Sequence, residues 1–191
     1  FTSYNGGMKT VYSAYIDETE ISKITRLTAE PSTEPSGIEI LVNVKSGDFS
    51  AFHDRAFEVL KYFTPKPVIH NDNHLQHRIV NHDTTPILSG SNWVITKNNM
   101  GGYASRVKVA MGNVVYPVNL NNLGIGSMMV DYLNSFKYME ILLKAPIGAV
   151  KNSASREALE YNQKTNSWLF NAIADFREQV GEVLSQQMNS A

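Results

Sequence analysis

The tightest constraint lies near the C-terminus, where Leu169, Ala172, Ile173, Phe176, Val180, Val183 and Leu184 recur at the spacing of one helix face. That period predicts a helix over about residues 165–188. A one-sided apolar stripe of this length is stable only when covered, so the chain must offer it a surface. The preceding sequence offers strands. Residues 93–97, 105–111 and 114–118 are rich in β-formers and are separated by Asn99-Met100-Gly101-Gly102 and by Gly112-Asn113, both of which read as turns. A helical turn at 128–133 and a further strand at 137–143 follow. The pattern is α+β, with a mainly antiparallel sheet and a long C-terminal helix.

A second group of strands lies upstream. Residues 1–5 and 10–16 flank Gly6-Gly7 as in a hairpin, residues 21–29 alternate, and Ile38-Glu39-Ile40-Leu41-Val42-Asn43-Val44 is the strongest strand signal in the chain. A sheet built from these strands has no helix of its own. Asp48 can cap a helix running to Phe63, on which Phe49, Phe52, Ala56, Val59, Leu60 and Phe63 recur near the helical period. Thr64-Pro65-Lys66-Pro67 stops it. We place a domain boundary at Ser46-Gly47, giving units 1–46 and 47–191, although Pro65 is an equal choice on the residues alone. Residues 67–69 read as a short strand and 70–90 as a polar, turn-rich loop. The chain opens on Phe1 inside a strand-like pattern, so we expect it to be a piece of a longer protein.

Several function classes are disfavoured. A net charge of −1 gives no global field for gathering nucleic acid. The absence of cysteine removes disulfides, thiolate metal sites and thiol catalysis. No apolar run approaches ~20 residues, so no membrane-spanning helix is expected. His70, His74, His77 and His82 cluster with Asp72 and Asp83, but their spacing matches no His-Glu-x-x-His or comparable motif, and no metal site is assigned. Gly101-Gly102 and Gly124-Ile125-Gly126 form neither a Walker sequence nor a dinucleotide fingerprint.

The stretch Ser153-Ala154-Ser155-Arg156-Glu157-Ala158-Leu159 stands apart. Ser155 is a natural N-cap, Glu157 suits a first helical turn, and Ala158 and Leu159 propagate a helix, so a helix start is expected at Ser155. Arg156 is the odd member, because a cation there meets the positive end of the helix dipole and costs ~0.3–1 kcal/mol unless an anion offsets it. That anion is either a neighbouring carboxylate, such as Glu157 or Glu160, or a ligand. Lys164 is a second cation nearby, solvated by default but able to reach an anion.

Ser155-Arg156-Glu157-Ala158-Leu159, after an apolar strand and before a long helix, resembles the Asn-x-Ser-Arg-Glu-x-Leu motif in the middle domain of the ninety-kilodalton heat-shock chaperone. It resembles the phage rIIA lysis-inhibition proteins more closely. That likeness runs through Phe1-Thr2-Ser3-Tyr4, Gly37-Ile38-Glu39-Ile40, Asp48-Phe49, Val115-Tyr116-Pro117 and the arginine motif, in this order. Both families belong to the GHKL ATPase group, with gyrase B and MutL. The resemblance implies that residues 1–46 close a GHKL ATP-binding sheet. Residues 47–191 would then form a transducer or middle domain of ribosomal-protein-like βαβ type with a long C-terminal helix.

It further implies ATP and magnesium as cofactors, bound mainly by a domain absent from this chain, so that the chain alone is inactive and its parent an ATPase. Arg156 matches the arginine that reaches the γ-phosphate, a catalytic and cofactor-binding role. Lys164 is the counterpart offered for the cofactor-binding transducer lysine of gyrase and MutL. Glu160 stands where the chaperone has glutamine, and Ile38 where relatives often have threonine. The partners implied are the N-terminal GHKL ATP-binding domain, a second copy in a homodimer, and an rIIB-like protein. The implied setting is the host cytoplasm, peripheral to the inner membrane, in lysis inhibition or in overcoming host exclusion. A reading of another class stays open: a non-catalytic protein–protein interaction or dimerisation domain, with Arg156 in a structural salt bridge.

Overall fold

Residues 1–97, 106–155 and 157–189 are described in the computed structural model, which divides into two units, Phe1–Phe52 and His53–Ala191. The sequence placed the boundary slightly earlier, at Ser46-Gly47. In the first unit, Gly6 and Gly7 both take positive φ, 59° and 74°, which is the backbone a two-residue hairpin turn requires. They join β1 (Thr2–Asn5) to β2 (Met8–Ile16), and β3 (Ser22–Pro31) and β4 (Gly37–Glu39) complete a sheet of order β3-β2-β1-β4 with antiparallel neighbours. The strand expected over 38–44 stops at Glu39. Its last paired residue is Glu39, which faces Thr2 of β1, and Ile40, Leu41 and Val42 beyond it are exposed. Every residue of β3 is exposed, Ile24 and Leu27 among them.

Helix α1 (Phe49–Leu60) crosses from the first unit into the second, and Asp48 closes a short 3-10 turn at Ser46–Asp48. The helix ends one turn before Phe63. Residues 67–69, expected as a strand, form none. The stretch read as a loop contains α2 (Asn73–Val80), whose cap is Asp72 accepting the Leu75 N–H at 2.8 Å. Phe57 of α1 packs with Leu75 and Ile79 of α2 as a small separate core.

The second sheet has the order β5-β6-β9-β7-β8, from β5 (Leu88–Ser89), β6 (Trp93–Lys97), β7 (Val107–Met111), β8 (Val114–Pro117) and β9 (Met139–Ala145). The expected Asn99–Gly102 turn and the start of the third strand at Ser105 lie outside the described residues. Neighbours are antiparallel except β7 and β9, which are parallel. A parallel pair needs a crossover rather than a tight turn, and α3 (Ser127–Asn134) lies in that connection.

Helix α4 (Gln163–Asn189) carries the apolar stripe. Leu169, Ile173, Phe176 and Val180 are buried with Trp93 and Ile95 of β6, Val107 and Val109 of β7, and Ile141 and Leu143 of β9. Trp93 meets Phe176 edge-on, with ring centroids 5.0 Å apart. One Gln179 oxygen accepts from the Trp93 indole N–H at 3.1 Å, the Ser91 N–H at 3.2 Å and the Ser91 hydroxyl at 3.1 Å, clipping the β5–β6 turn to the helix. Gly90 makes this possible, since a Cβ there would fall 2.3 Å from the indole. Leu184 is exposed, so the stripe is covered for only part of its length. Among the described residues no helix is long and apolar enough to cross a membrane.

Phe176 is fully buried at the centre of this core. Phe176→Ala should therefore cost about 3–5 kcal/mol in chemical denaturation of the second unit, against less than about 0.5 kcal/mol for the exposed Ile24→Thr in the first.

Candidate functional site

Two places in the second unit gather polar side chains. The first is the segment between β9 and α4. The chain leaves β9 through Pro146-Ile147-Gly148, where the Ala149 N–H returns to the Pro146 carbonyl at 3.0 Å and Gly148 takes φ 81°. It does not enter a helix at Ser155. Instead residues 151–160 fold back on themselves: the Ser153 N–H donates to the Ala158 carbonyl at 2.8 Å and the Glu160 N–H to the Lys151 carbonyl at 2.8 Å, around a bridge between Asn152 and Leu159.

The reason is packing. Leu159 is buried in the main core while Glu157 and Ala158 are exposed, and the two backbone bonds just named hold it there. The cap that starts α4 is Asn162, whose side-chain oxygen accepts the Thr165 N–H at 2.9 Å. Thr165, itself fully buried, accepts the Lys151 N–H on its hydroxyl at 2.9 Å, and Lys151 pairs with Glu160 at 2.9 Å. The base of the loop is thus tied to the first turn of the helix.

Arg156 lies outside the described residues; Ser155 and Glu157, on either side of it, are exposed at the far end of the fold-back. Lys164 is exposed on the first turn of α4. A cleft of about 780 Å³ runs beside the loop, with Leu159, Tyr161, Asn119, Asn134 and Arg106 in its walls. Arg106 donates to the Asn134 carbonyl, and the Tyr161 hydroxyl accepts the Asn119 N–H at 2.6 Å. Burial raises the Tyr161 pKa above that of an ordinary phenol, so the hydroxyl stays protonated.

The second place is the sheet face turned away from α4. Side chains alternate along a strand, so burial of Val107, Val109, Ile141 and Leu143 against the helix sends Lys108 and Glu140 to the other face. There the Tyr62 hydroxyl donates to one Glu140 oxygen at 2.8 Å and accepts from the Lys108 ammonium at 2.7 Å, while Lys108 pairs with the other Glu140 oxygen. The cluster is closed, with every member satisfied. Burial, then the Glu140 charge, pushes the Tyr62 pKa far up, so its hydroxyl remains a donor. A carboxylate held between an ammonium and a phenol is a fixed ion pair rather than a proton acceptor awaiting substrate.

Around this cluster lies a half-enclosed cavity of about 350 Å³, with Val94, Ala110, Val115 and Leu142 among the residues lining it and Lys66, His82 and Lys144 bringing polar groups to it. His82 is half-buried, edge-on to Phe57 at 5.6 Å and to Tyr62 at 6.4 Å. Burial, reinforced by Lys61 and Lys66, lowers its pKa below the usual imidazole value.

The other clustered histidines do not converge. His74 stacks on His53 at 5.4 Å, His70 and His77 are exposed, and among the described residues no group of three histidines and carboxylates is placed to hold a metal ion. Comparison with protein-family models, with curated proteins and with solved structures finds no significant match to this chain.

The sequence reading singled out His82 but not Tyr62, Lys108 or Glu140. The available signal was one charge at an alternate position in each of two apolar strands, Lys108 in Val-Lys-Val-Ala-Met and Glu140 in Met-Glu-Ile-Leu-Leu.

Two outcomes test this geometry. Glu140→Leu leaves the half-buried Lys108 ammonium without its carboxylate and should cost about 3 kcal/mol, most of it returned by adding Lys108→Met in a double-mutant cycle. The second concerns pH. Because the folded His82 pKa lies below its unfolded value of 6.5, its contribution to stability is complete above that pH and is lost as pH falls through the folded value. Acid denaturation should start at lower pH in His82→Gln than in the wild type.

Proposed function

We propose that this chain is the transducer part of a phage rIIA-like GHKL ATPase, in which Arg156 contacts the ATP γ-phosphate and couples nucleotide state to conformational change. The observation that carries this reading is the fold-back at 151–160. Its base is fastened to α4 through Thr165 and its core-facing side through Leu159, which supports a reading in which this loop acts from a packed base. A guanidinium supplied from a second domain neutralises charge on a transferring phosphoryl group only while the two domains are closed, which links turnover to closure.

Three further observations agree with it. The parallel β7–β9 pair, with β8 and α3 in its connection and the long α4 after it, is compatible with a βαβ-type transducer domain. Lys164 is free to face solvent on the same first turn that anchors the loop, where a second cation would serve an anion. The exposed apolar side chains of the first sheet, such as Ile24, Leu27 and Ile38, fit closing strands that lean on a larger ATP-binding domain. In this reading ATP and magnesium sit mainly on that domain, and the chain by itself turns over no ATP. The corresponding biology is lysis inhibition or relief of host exclusion, in the host cytoplasm at the inner-membrane surface, with an rIIB-like protein or a second copy as partner.

ATP turnover by the parent protein tests the reading directly. Arg156→Ala should lower kcat by about a thousandfold or more while nucleotide affinity changes only several-fold. Unchanged turnover, or a parent without turnover, would assign the chain instead to protein–protein interaction.

A further inference from the structure

The cavity beneath Tyr62 has no part in the reading above. Its floor is the sheet face turned away from α4, apolar at Val94, Ala110, Val115 and Leu142. Its roof is the turn after α1, secured on both sides: Tyr62 is bonded to Glu140 and Lys108, and the Thr64 N–H donates to the Asn113 side chain at 3.3 Å. The pocket is therefore preformed, and about 350 Å³ lies within the range of small-molecule sites.

Its charges are unequal. Glu140 is neutralised by Lys108 and screened by the Tyr62 hydroxyl, whereas Lys66 and Lys144, which also line the cavity, take part in no ion pair among the described residues. Lys66 is half-buried; it donates to the Lys61 carbonyl and keeps further ammonium donors free. Burial lowers its pKa, which is the cost of holding an ammonium in a partly dry wall without a counter-ion. His82 is biased toward the neutral form and adds no cation near neutral pH.

We propose that this cavity binds a small organic carboxylate, its apolar body resting on Val94, Ala110, Val115 and Leu142 and its carboxylate held by Lys66 and Lys144. A monoanion with an apolar body fits better than a phosphate. Among the described residues the cavity wall offers no arginine fork, the floor is hydrocarbon, and the fixed Glu140 carboxylate repels a dianion more than a monoanion.

The test is a titration of the full chain at constant ionic strength, followed by amide NMR, with benzoate, its neutral counterpart benzyl alcohol, and inorganic phosphate. Benzoate should shift the amides of Gly112, Asn113 and Leu142 saturably, with a dissociation constant on the order of millimolar or tighter. Benzyl alcohol and phosphate should each bind at least about tenfold more weakly. Lys66→Met with Lys144→Met should weaken benzoate about tenfold or more and leave benzyl alcohol unchanged.

If the double variant loses its dispersed spectrum, Lys144→Met alone, at an exposed position, should still weaken benzoate about threefold. Four results overturn the proposal: no saturable shift at these amides; equal affinity for benzyl alcohol; equal affinity for phosphate, which would leave a bare cation patch; or benzoate binding that the lysine variants do not change. Arg156→Ala should leave benzoate binding unchanged, so this site and the ATPase reading succeed or fail separately.

Discussion

The parallel pairing of β7 with β9 organises the second unit. Two strands running the same way cannot be joined by a hairpin, so the chain must travel from the end of β8 across a sheet face, through α3, before β9 can insert between β6 and β7. Insertion at the centre gives β9 hydrogen-bonded neighbours on both sides and fixes its register. Register then decides the faces. Ile141 and Leu143 join Trp93, Val107 and Phe176 under α4, while Glu140, Leu142 and Lys144 go to the other side. Both polar regions follow from this one strand: the cavity stands on its outer face, and the loop that begins at Lys151 follows its end.

What was legible in the sequence was what short-range periodicity encodes. The α4 stripe, the Gly6-Gly7 hairpin and the strands around Trp93, Val109 and Val115 were recoverable because each depends on its own side chains and turn residues. Failures came where a distant partner decided. The apolar run from Ile38 to Val44 has ample strand propensity, yet only its first two residues pair with β1, and Ile40, Leu41 and Val42 stay exposed; propensity alone does not supply a partner. Helix α2 was hidden by its composition, since His74, Gln76, His77 and Arg78 leave only Leu75 and Ile79 to mark a buried face over eight residues. Ser155 looks like a cap in isolation. Burial of Leu159 and the Thr165–Lys151 bond moved the helix start to Gln163, beyond Asn162.

The candidate sites divide along the same line. The arginine motif is a run of adjacent residues, which is why a sequence can propose it. Tyr62, Lys108 and Glu140 come from one turn and two strands that meet only in the folded chain, and nothing in local spacing brings them together. A charge on an otherwise apolar strand says that its face is not simply core, but it does not say which groups it will meet.

The clip formed by Gly90, Trp93 and Gln179 bears on how such a sequence can drift over time. The indole fills the space that any side chain at position 90 would need, and its N–H shares one amide oxygen with two donors from Ser91. A change at any one of these places removes the reason for the other two. Lineages descended from this chain should therefore keep the trio intact or exchange it as a block, while the outward face of α4 wanders around it.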